Sequence, residues 1–258
     1  MTGQKATALA VALSLGFATA ATSQPFESDD FHCPLLQSRW SLENPLGDGT
    51  ATLVGAGTAD AWLELSLPAG TIHDAWGSGQ NEALRVTQDA VDSDFQIEVH
   101  WKTEPAGGFN DQGVLVEQDS DNWLRFDVYH NNSSLKAFIG KTIAGTNTSL
   151  LNADIAAGSS FYLRVDRTGD TWTLELSGDG VTYSPAGQFT ETLAVTRVGV
   201  YAANPVNALA WTSQVDWFFD AGSPIDPEDP TDDEDCEGGV AVESTSWGKV
   251  KASYLGSE

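Results

Sequence analysis

Basic residues are scarce in this sequence. Twelve Lys and Arg stand against 37 Asp and Glu among 258 residues, which gives a formal net charge of −25. Nucleic acids and anionic membrane surfaces are bound through basic patches, so the sequence argues against both as partners. The charge is uneven, because residues 24–219 carry −17 whereas the much shorter stretch 220–258 carries −9.

Long apolar runs are also lacking, and the one candidate lies at the N-terminus. Lys5 precedes the apolar stretch Ala6–Ala18, and Ala18-Thr19-Ala20 offers a small-x-small cleavage site. This pattern is typical of a secretory signal peptide, and the apolar run is too short to span a bilayer. We therefore predict a helical signal peptide at residues 1–23 and a protein that is secreted or held at the cell surface.

Cysteine is limited to Cys33 and Cys236. In an exported protein two cysteines most simply form one disulfide, and the alternatives are two free thiols, a lipid-linked thiol or an intermolecular bond. No further cysteine and no clustered histidine completes a zinc set, and the spacing indicates no Cys–His pair. The sequence thus predicts neither a metal-binding nor a catalytic use for these thiols.

Helical periodicity is hard to find, and period-two alternation takes its place. Phe95, Ile97, Val99 and Trp101 alternate with polar residues, and similar segments recur between turns rich in Gly, Asn and Asp. Such short strands, each with one apolar face, are typical of sheets packed on one side. We predict an all-β chain in which residues 24–219 form one antiparallel two-sheet jelly-roll sandwich.

The C-terminal stretch has a different composition. Residues 220–239 combine three X-Pro steps with a run of acidic residues, which predicts an extended, self-repelling linker. Residues 240–258 form a short tail in which Ser244-Thr245-Ser246 could cap one short helix.

Several stretches between residues 28 and 220 have a distinctive sequence: Pro68–Trp76, Asp94–Val99, Gln112–Phe126, Leu163–Trp172 and Ser177–Gly180. In these stretches the sequence resembles the concanavalin A-like lectin/glucanase superfamily, and within it an uncharacterised jelly-roll group that is often appended to secreted bacterial glycosidases. The resemblance implies a sandwich of two curved sheets, one face of which commonly binds glycans, although the fold also hosts catalysts and interaction domains.

The paired carboxylates of the related glucanases are not reproduced. Those enzymes resemble one another in a Glu-x-Asp-x-(x)-Glu strand. The nearest series in this sequence is Asp92, Asp94 and Glu98, and Gln96 interrupts it. No catalytic residue is therefore assigned, and the sequence leans away from an enzyme. The alternative, a glycoside hydrolase or polysaccharide lyase with atypical carboxylates, would draw on Glu98, Glu117 and Asp127.

Asp119 and Asp121 lie in a turn between two predicted strands. Clustered loop carboxylates suit calcium, which gives a structural Ca²⁺ site as one interpretation and a plain polar hairpin turn as the other. No other cofactor is predicted.

Aromatic residues on the non-core faces of strands suggest a glycan-binding platform. Sugars are held by an aromatic ring against their C–H face and by fixed polar groups around it. We predict a non-catalytic polysaccharide-binding domain, with an enzyme or a cell-surface adhesion module as alternatives. The same rings could instead form a cross-strand ladder or pack beneath a loop, and Trp76 could plug the sandwich edge. The predicted ligand-binding residues are Trp123, Arg125, Asp127 and Tyr129 on one strand face, Tyr162 and Arg164 on another, and Trp76.

Overall fold

The computed structural model describes residues 24–76, 81–206, 208–230 and 236. Within these residues the chain forms fourteen strands in two antiparallel sheets of seven, which confirms the predicted all-β, two-sheet jelly-roll sandwich. No helix in this part of the chain is long and apolar enough to cross a membrane. The predicted signal peptide at 1–23 and the tail at 240–258 lie outside the described residues.

The first sheet, here called the front sheet, carries the candidate site. Its strand order is β1-β4-β13-β6-β7-β8-β9. The strands are β1 (Trp40–Glu43), β4 (Leu84–Asp89), β6 (Asp111–Asp119), β7 (Asn122–His130), β8 (Leu135–Ile143), β9 (Thr146–Ile155) and β13 (Arg197–Ala203).

The second sheet, the back sheet, packs on the inner face of the first. Its strand order is β12-β11-β10-β5-β14-β3-β2. The strands are β2 (Thr50–Val54), β3 (Trp62–Leu67), β5 (Phe95–Trp101), β10 (Tyr162–Thr168), β11 (Thr171–Ser177), β12 (Ser184–Thr190) and β14 (Trp211–Asp220).

The core lies between the two sheets. In β5 every second residue is buried, as the alternation predicts, and Ile97 and Val99 are fully enclosed. Phe126 and Val114 reach the same core from the front sheet. Burial of these apolar side chains is the main stabilising term of such a sandwich.

Strands β6 and β7 depart from the one-sided pattern, because most of their residues are buried on both faces. The chain between β3 and β4 folds over their outer face. We call its described residues, 71–76 and 81–83, the covering loop. Ala75 and Ala83 of this loop pack with Leu115, Trp123 and Tyr201 in a second, smaller apolar cluster.

The acidic linker is partly docked rather than extended. The backbone N–H of Asp229 donates to Asp30 (3.0 Å), and the N–H of Ala61 donates to the Asp229 carboxylate (3.0 Å). Cys236 is bonded to Cys33, with 5.5 Å between their Cα atoms. Residues 221–230 therefore lie against the sandwich, since local hydrogen bonds and this cross-link hold the chain despite its negative charge.

Docking of this segment should weaken as the pH rises. Although Glu228 is exposed as a residue, partial desolvation of its carboxylate, together with the negative charge of Asp216, Asp229 and Asp30, raises its pKa to about 8 from an ordinary 4.5. A raised pKa means that the folded form holds the proton more tightly. The stabilisation that protonated Glu228 gives to the docked segment is therefore complete at low pH and is lost as the pH rises through about 8. Hydrogen exchange of residues 221–230, corrected for intrinsic rates, should show less protection at pH 9 than at pH 6. Glu228→Gln should remove that difference, and equal protection of the wild type at both pH values would contradict the account.

Candidate functional site

The outer face of the front sheet brings polar side chains from three strands and the covering loop together. Cross-strand pairing sets Asp127 opposite Gly113, which in turn lies opposite Tyr201. Arg125 and Asp111 occupy neighbouring positions on the same face. We call Arg125, Asp74, Asp111, Asp127 and Tyr201 the Arg125 cluster.

Arg125 is the only cation of this cluster, and it faces three carboxylates. Its Nε donates to Asp127 (2.9 Å), its Nη2 lies 3.6 Å from Asp111, and its Nη1 lies 4.0 Å from Asp74. Arg125 is 5% exposed and Asp127 is fully buried. Burial raises the pKa of both Asp111 and Asp127, while the Arg125 charge acts to lower each of them.

The covering loop closes over the Arg125 cluster. The guanidinium of Arg125 lies 5.4 Å from the ring centre of Trp76, and this ring meets Phe138 edge-on at 5.3 Å. Asn147 donates a hydrogen bond to the backbone carbonyl of Trp76 (2.6 Å). A side chain at Gly140 would place its Cβ 2.7 Å from the Trp76 ring, so glycine makes room for the indole. Trp76 therefore covers polar groups rather than plugging the sandwich edge.

His73 anchors the start of the loop. Its Nε2 lies 2.8 Å from Asp48, and its backbone N–H donates to Asn204 (2.8 Å). Its side chain is fully buried.

Beside the Arg125 cluster, an open groove of about 480 Å³ remains on the same face. Glu117 and Trp123 are direct cross-strand partners in its wall. Arg85 Nε lies 3.4 Å from Glu117 Oε1, and burial raises the pKa of Glu117. The lining residues are Pro45, Leu46, Asn81, Glu82, Arg85, Glu117, Ser120, Asp121 and Trp123.

Three donors in the lining are buried without a hydrogen-bond acceptor among the described residues: Trp123 Nε1, Asn81 Nδ2 and Arg85 Nε. Of these, Arg85 Nε has an ion-pair contact with Glu117 at 3.4 Å. Buried polar groups are rarely left unsatisfied in proteins, because each orphaned group costs about 1–3 kcal/mol. Residues that carry these unsatisfied donors therefore line the groove, next to the acceptor Glu117.

The predicted platform residues of β7 share one face but are not an open platform. Trp123 is 1% exposed, and Arg125 and Asp127 lie beneath the covering loop. Tyr129 is half-buried at the far end, where its hydroxyl donates to Asn152 (3.0 Å). Local alternation places these side chains outward correctly, but it carries no information on a loop that arrives from another part of the chain.

Tyr162 and Arg164 lie on the opposite side of the molecule, on the outer face of the back sheet. The Tyr162 ring stacks on His100 at 4.1 Å, and the Arg164 guanidinium lies 3.6 Å from the ring centre of Tyr183. The structure therefore does not bring them together with the residues of β7.

The three candidate catalytic carboxylates are also separated. Glu98 lies on the back sheet and accepts a hydrogen bond from Arg164 (2.8 Å). Asp127 is enclosed in the Arg125 cluster, and Glu117 alone lines the groove.

Asp119 is engaged within its own turn. One carboxylate oxygen accepts from the backbone N–H of Asp121 (2.9 Å) and from Asn122 (2.8 Å), and these hydrogen bonds lower its pKa. The calcium interpretation of Asp119 and Asp121 remains a prediction.

Sequence reasoning missed Asn81, Arg85, Asp111 and Tyr201. Asp111 immediately precedes the Gln112–Phe126 stretch, and the hairpin that this stretch forms places it on the same sheet face as Arg125. Arg85 reaches the groove through sheet pairing with distant strands, and Asn81 reaches it from the covering loop, which no local pattern reveals.

Solved structures with the same fold support this architecture. The GH43 protein BlXynB from Bacillus licheniformis matches with a TM-score of 0.60 at 16% identity, over 78% of this chain and 40% of that one. A xylan β-1,4-xylosidase from Bacillus halodurans matches with a TM-score of 0.57 at 17% identity, again over 78% of this chain and 40% of that one. This chain thus spans about 40% of the length of these two proteins.

A binding module gives a further match at nearly full length. The CBM2 module of the evolved Dit protein from Lactobacillus casei BL23 phage J-1 gives a TM-score of 0.50 at 10% identity, over 76% of this chain and 94% of the module. No curated protein matches the chain.

The expected concanavalin A-like resemblance is confirmed. A family model described as a protein of unknown function, DUF1349, matches residues 68–218, which run from the end of β3 to β14 and include most of the groove. Since this match covers more than half of the sequence, the chain belongs to the DUF1349 family.

Proposed function

We propose that this chain is a non-catalytic carbohydrate-binding domain that holds a polysaccharide in the groove beside β6 and β7. The observation that carries the proposal is that two buried donors, on Trp123 and Asn81, have no acceptor among the residues that the structure describes and lie next to the carboxylate of Glu117. Vicinal hydroxyls offer both acceptors and donors, which matches this arrangement of fixed polar groups.

The charge of the chain is compatible with such a ligand. A net charge of −25 repels polyanions, whereas neutral glycans carry no charge to be repelled. The secretion predicted from residues 1–23 would place the domain where polysaccharides are found. The similar GH43 and xylosidase structures make xylo-oligosaccharides a reasonable first probe.

Trp123→Phe should weaken binding of xylohexaose about three- to tenfold, because it keeps a buried ring and removes one neutral hydrogen bond worth about 0.5–1.5 kcal/mol. Isothermal titration of the wild type and the variant measures the effect. Trp217→Phe, on the outer face of the back sheet, is the matched control and should bind as the wild type does. Equal affinities for Trp123→Phe and the wild type would reject the groove as the site.

The alternative function, a glycoside hydrolase, is tested by the release of reducing sugar. Only one of the three candidate carboxylates lines the groove, so the proposal expects no reducing sugar to be released from soluble xylan. Release that disappears in Glu117→Gln would favour a hydrolase in place of a binding domain.

A further inference from the structure

The cysteine pair has a histidine beside it that the sequence spacing does not indicate. His32 Nε2 lies 3.6 Å from Cys33 Sγ and 3.4 Å from Cys236 Sγ. The spacing along the sequence indicates no Cys–His pair, whereas the fold brings Cys236 back to His32 and Cys33. In the part of the chain that the structure describes, these three side chains form the one group whose donor atoms could hold a metal ion together.

The histidine is oriented by a buried carboxylate. Asp30 is fully buried, and its Oδ1 lies 2.5 Å from His32 Nδ1. A hydrogen bond from Nδ1–H to a carboxylate leaves Nε2 free to act as a ligand, and this arrangement recurs behind metal-bound histidines.

One sulfur also has a polar neighbour suited to a thiolate. Gln37, 8% exposed, donates from its side-chain amide to Cys33 Sγ at 2.8 Å. Such a donor stabilises the negative charge that a cysteine carries when it binds a metal. The disulfide thus lies among polar side chains that a disulfide alone does not need, namely Asp30, His32 and Gln37.

We propose that reduction of the Cys33–Cys236 disulfide creates a Cys₂His site for Zn²⁺, with water as the fourth ligand. Tetrahedral zinc with Zn–S of about 2.3 Å and Zn–N of about 2.0–2.1 Å places sulfur and nitrogen ligands about 3.6 Å apart. The two nitrogen–sulfur distances, 3.6 and 3.4 Å, are close to this value before any rearrangement. Only the two sulfurs have to separate, by rotation of their side chains.

The chemical steps balance with an external dithiol as reductant. The dithiol is oxidised to its cyclic disulfide, the S–S bond between Cys33 and Cys236 breaks, and each sulfur takes one proton. Zn²⁺ then displaces both protons, and the two thiolates neutralise its charge. Cys236 is the less buried partner, so its sulfur is the one within reach of the dithiol. The metal would replace the disulfide as the link between the N-terminal segment and the docked linker.

The test uses the full chain, reduced with a dithiol and then freed of it under anaerobic conditions. Co²⁺, a spectroscopic substitute for Zn²⁺, should bind at one equivalent with thiolate-to-cobalt charge-transfer bands, and Zn²⁺ should displace it. The oxidised chain should show neither signal. A reduced wild type that gives no charge-transfer bands would overturn the proposal.

Two variants separate the site from ordinary thiol binding. Asp30→Asn should lower Co²⁺ affinity about 10- to 100-fold, as expected for the loss of a carboxylate behind a metal-bound histidine. His32→Gln should abolish the tetrahedral spectrum, and His130→Gln, at a surface histidine outside the cluster, should leave it unchanged. If His32→Gln fails to fold, Asp30→Asn decides, and unchanged affinity in a folded Asp30→Asn would contradict the proposed site.

Discussion

Arg125→Met is expected to lower the free energy of unfolding by about 3–5 kcal/mol, the usual cost of removing one partner from a buried charge network. Within the described part of the chain, Arg125 is the only cation facing Asp74, Asp111 and Asp127. Methionine fills much of the same volume, so the loss reports the uncompensated carboxylates rather than a cavity. Urea denaturation at pH 7 measures it.

The matched control is Arg164→Met on the outer face of the back sheet. Its ion pairs with Glu98 and Glu175 are partly exposed, and such pairs are worth about 0–1 kcal/mol.

The loss of unfolding free energy in Arg125→Met should be smaller near pH 4 than at pH 7. Without the guanidinium the folded-state pKa values of Asp111 and Asp127 rise further, so protonation at low pH restores stability that is lost as the pH rises. A loss below 1 kcal/mol in Arg125→Met would contradict the view that the cluster depends on this one charge.

Removing the disulfide should have an effect of similar size. The double substitution Cys33→Ala with Cys236→Ala opens a loop with a sequence separation of 203 residues. Chain-entropy arguments predict that a disulfide closing a loop of this length raises the free energy of unfolding by about 5 kcal/mol. Removal of native disulfides typically lowers that free energy by about 2–5 kcal/mol. We expect urea denaturation to show a loss in that range, with an unchanged far-ultraviolet spectrum before unfolding.

Reduction of the wild type in metal-free buffer provides the control. It should reproduce the stability of the double variant, because both lack the cross-link while keeping the same sandwich. A double variant as stable as the oxidised wild type would show that the docked linker holds without the bond.

The sandwich could be predicted because its signal is local. Alternation in β5 and β10 places Ile97, Val99 and Val165 in the core, and the structure has them there. Trp217, by contrast, lies half-buried on the outer face beside Phe219. A bulge between Val215 and Trp217 inserts one residue and reverses the alternation, and no sequence pattern marks that bulge.

The candidate site could be predicted only in part. Glu117 and Trp123 are both singled out by the sequence, and the tight turn between them sets them opposite each other in the hairpin. Their burial could not be foreseen, because it depends on the covering loop, which packs on a sheet face formed by strands further along the chain. The groove is what remains open between that loop and the hairpin.

The most direct measurement of the central claim follows the tryptophan indole N–H signals of the ¹⁵N-labelled protein during titration with xylohexaose. The Trp123 signal, assigned from its absence in Trp123→Phe, should move in a saturable way, because the ligand supplies the acceptor that its buried N–H lacks. The Trp217 signal should stay in place. Saturable binding in which the Trp123 signal does not move, or no response of any indole signal, would contradict a carbohydrate site in the groove.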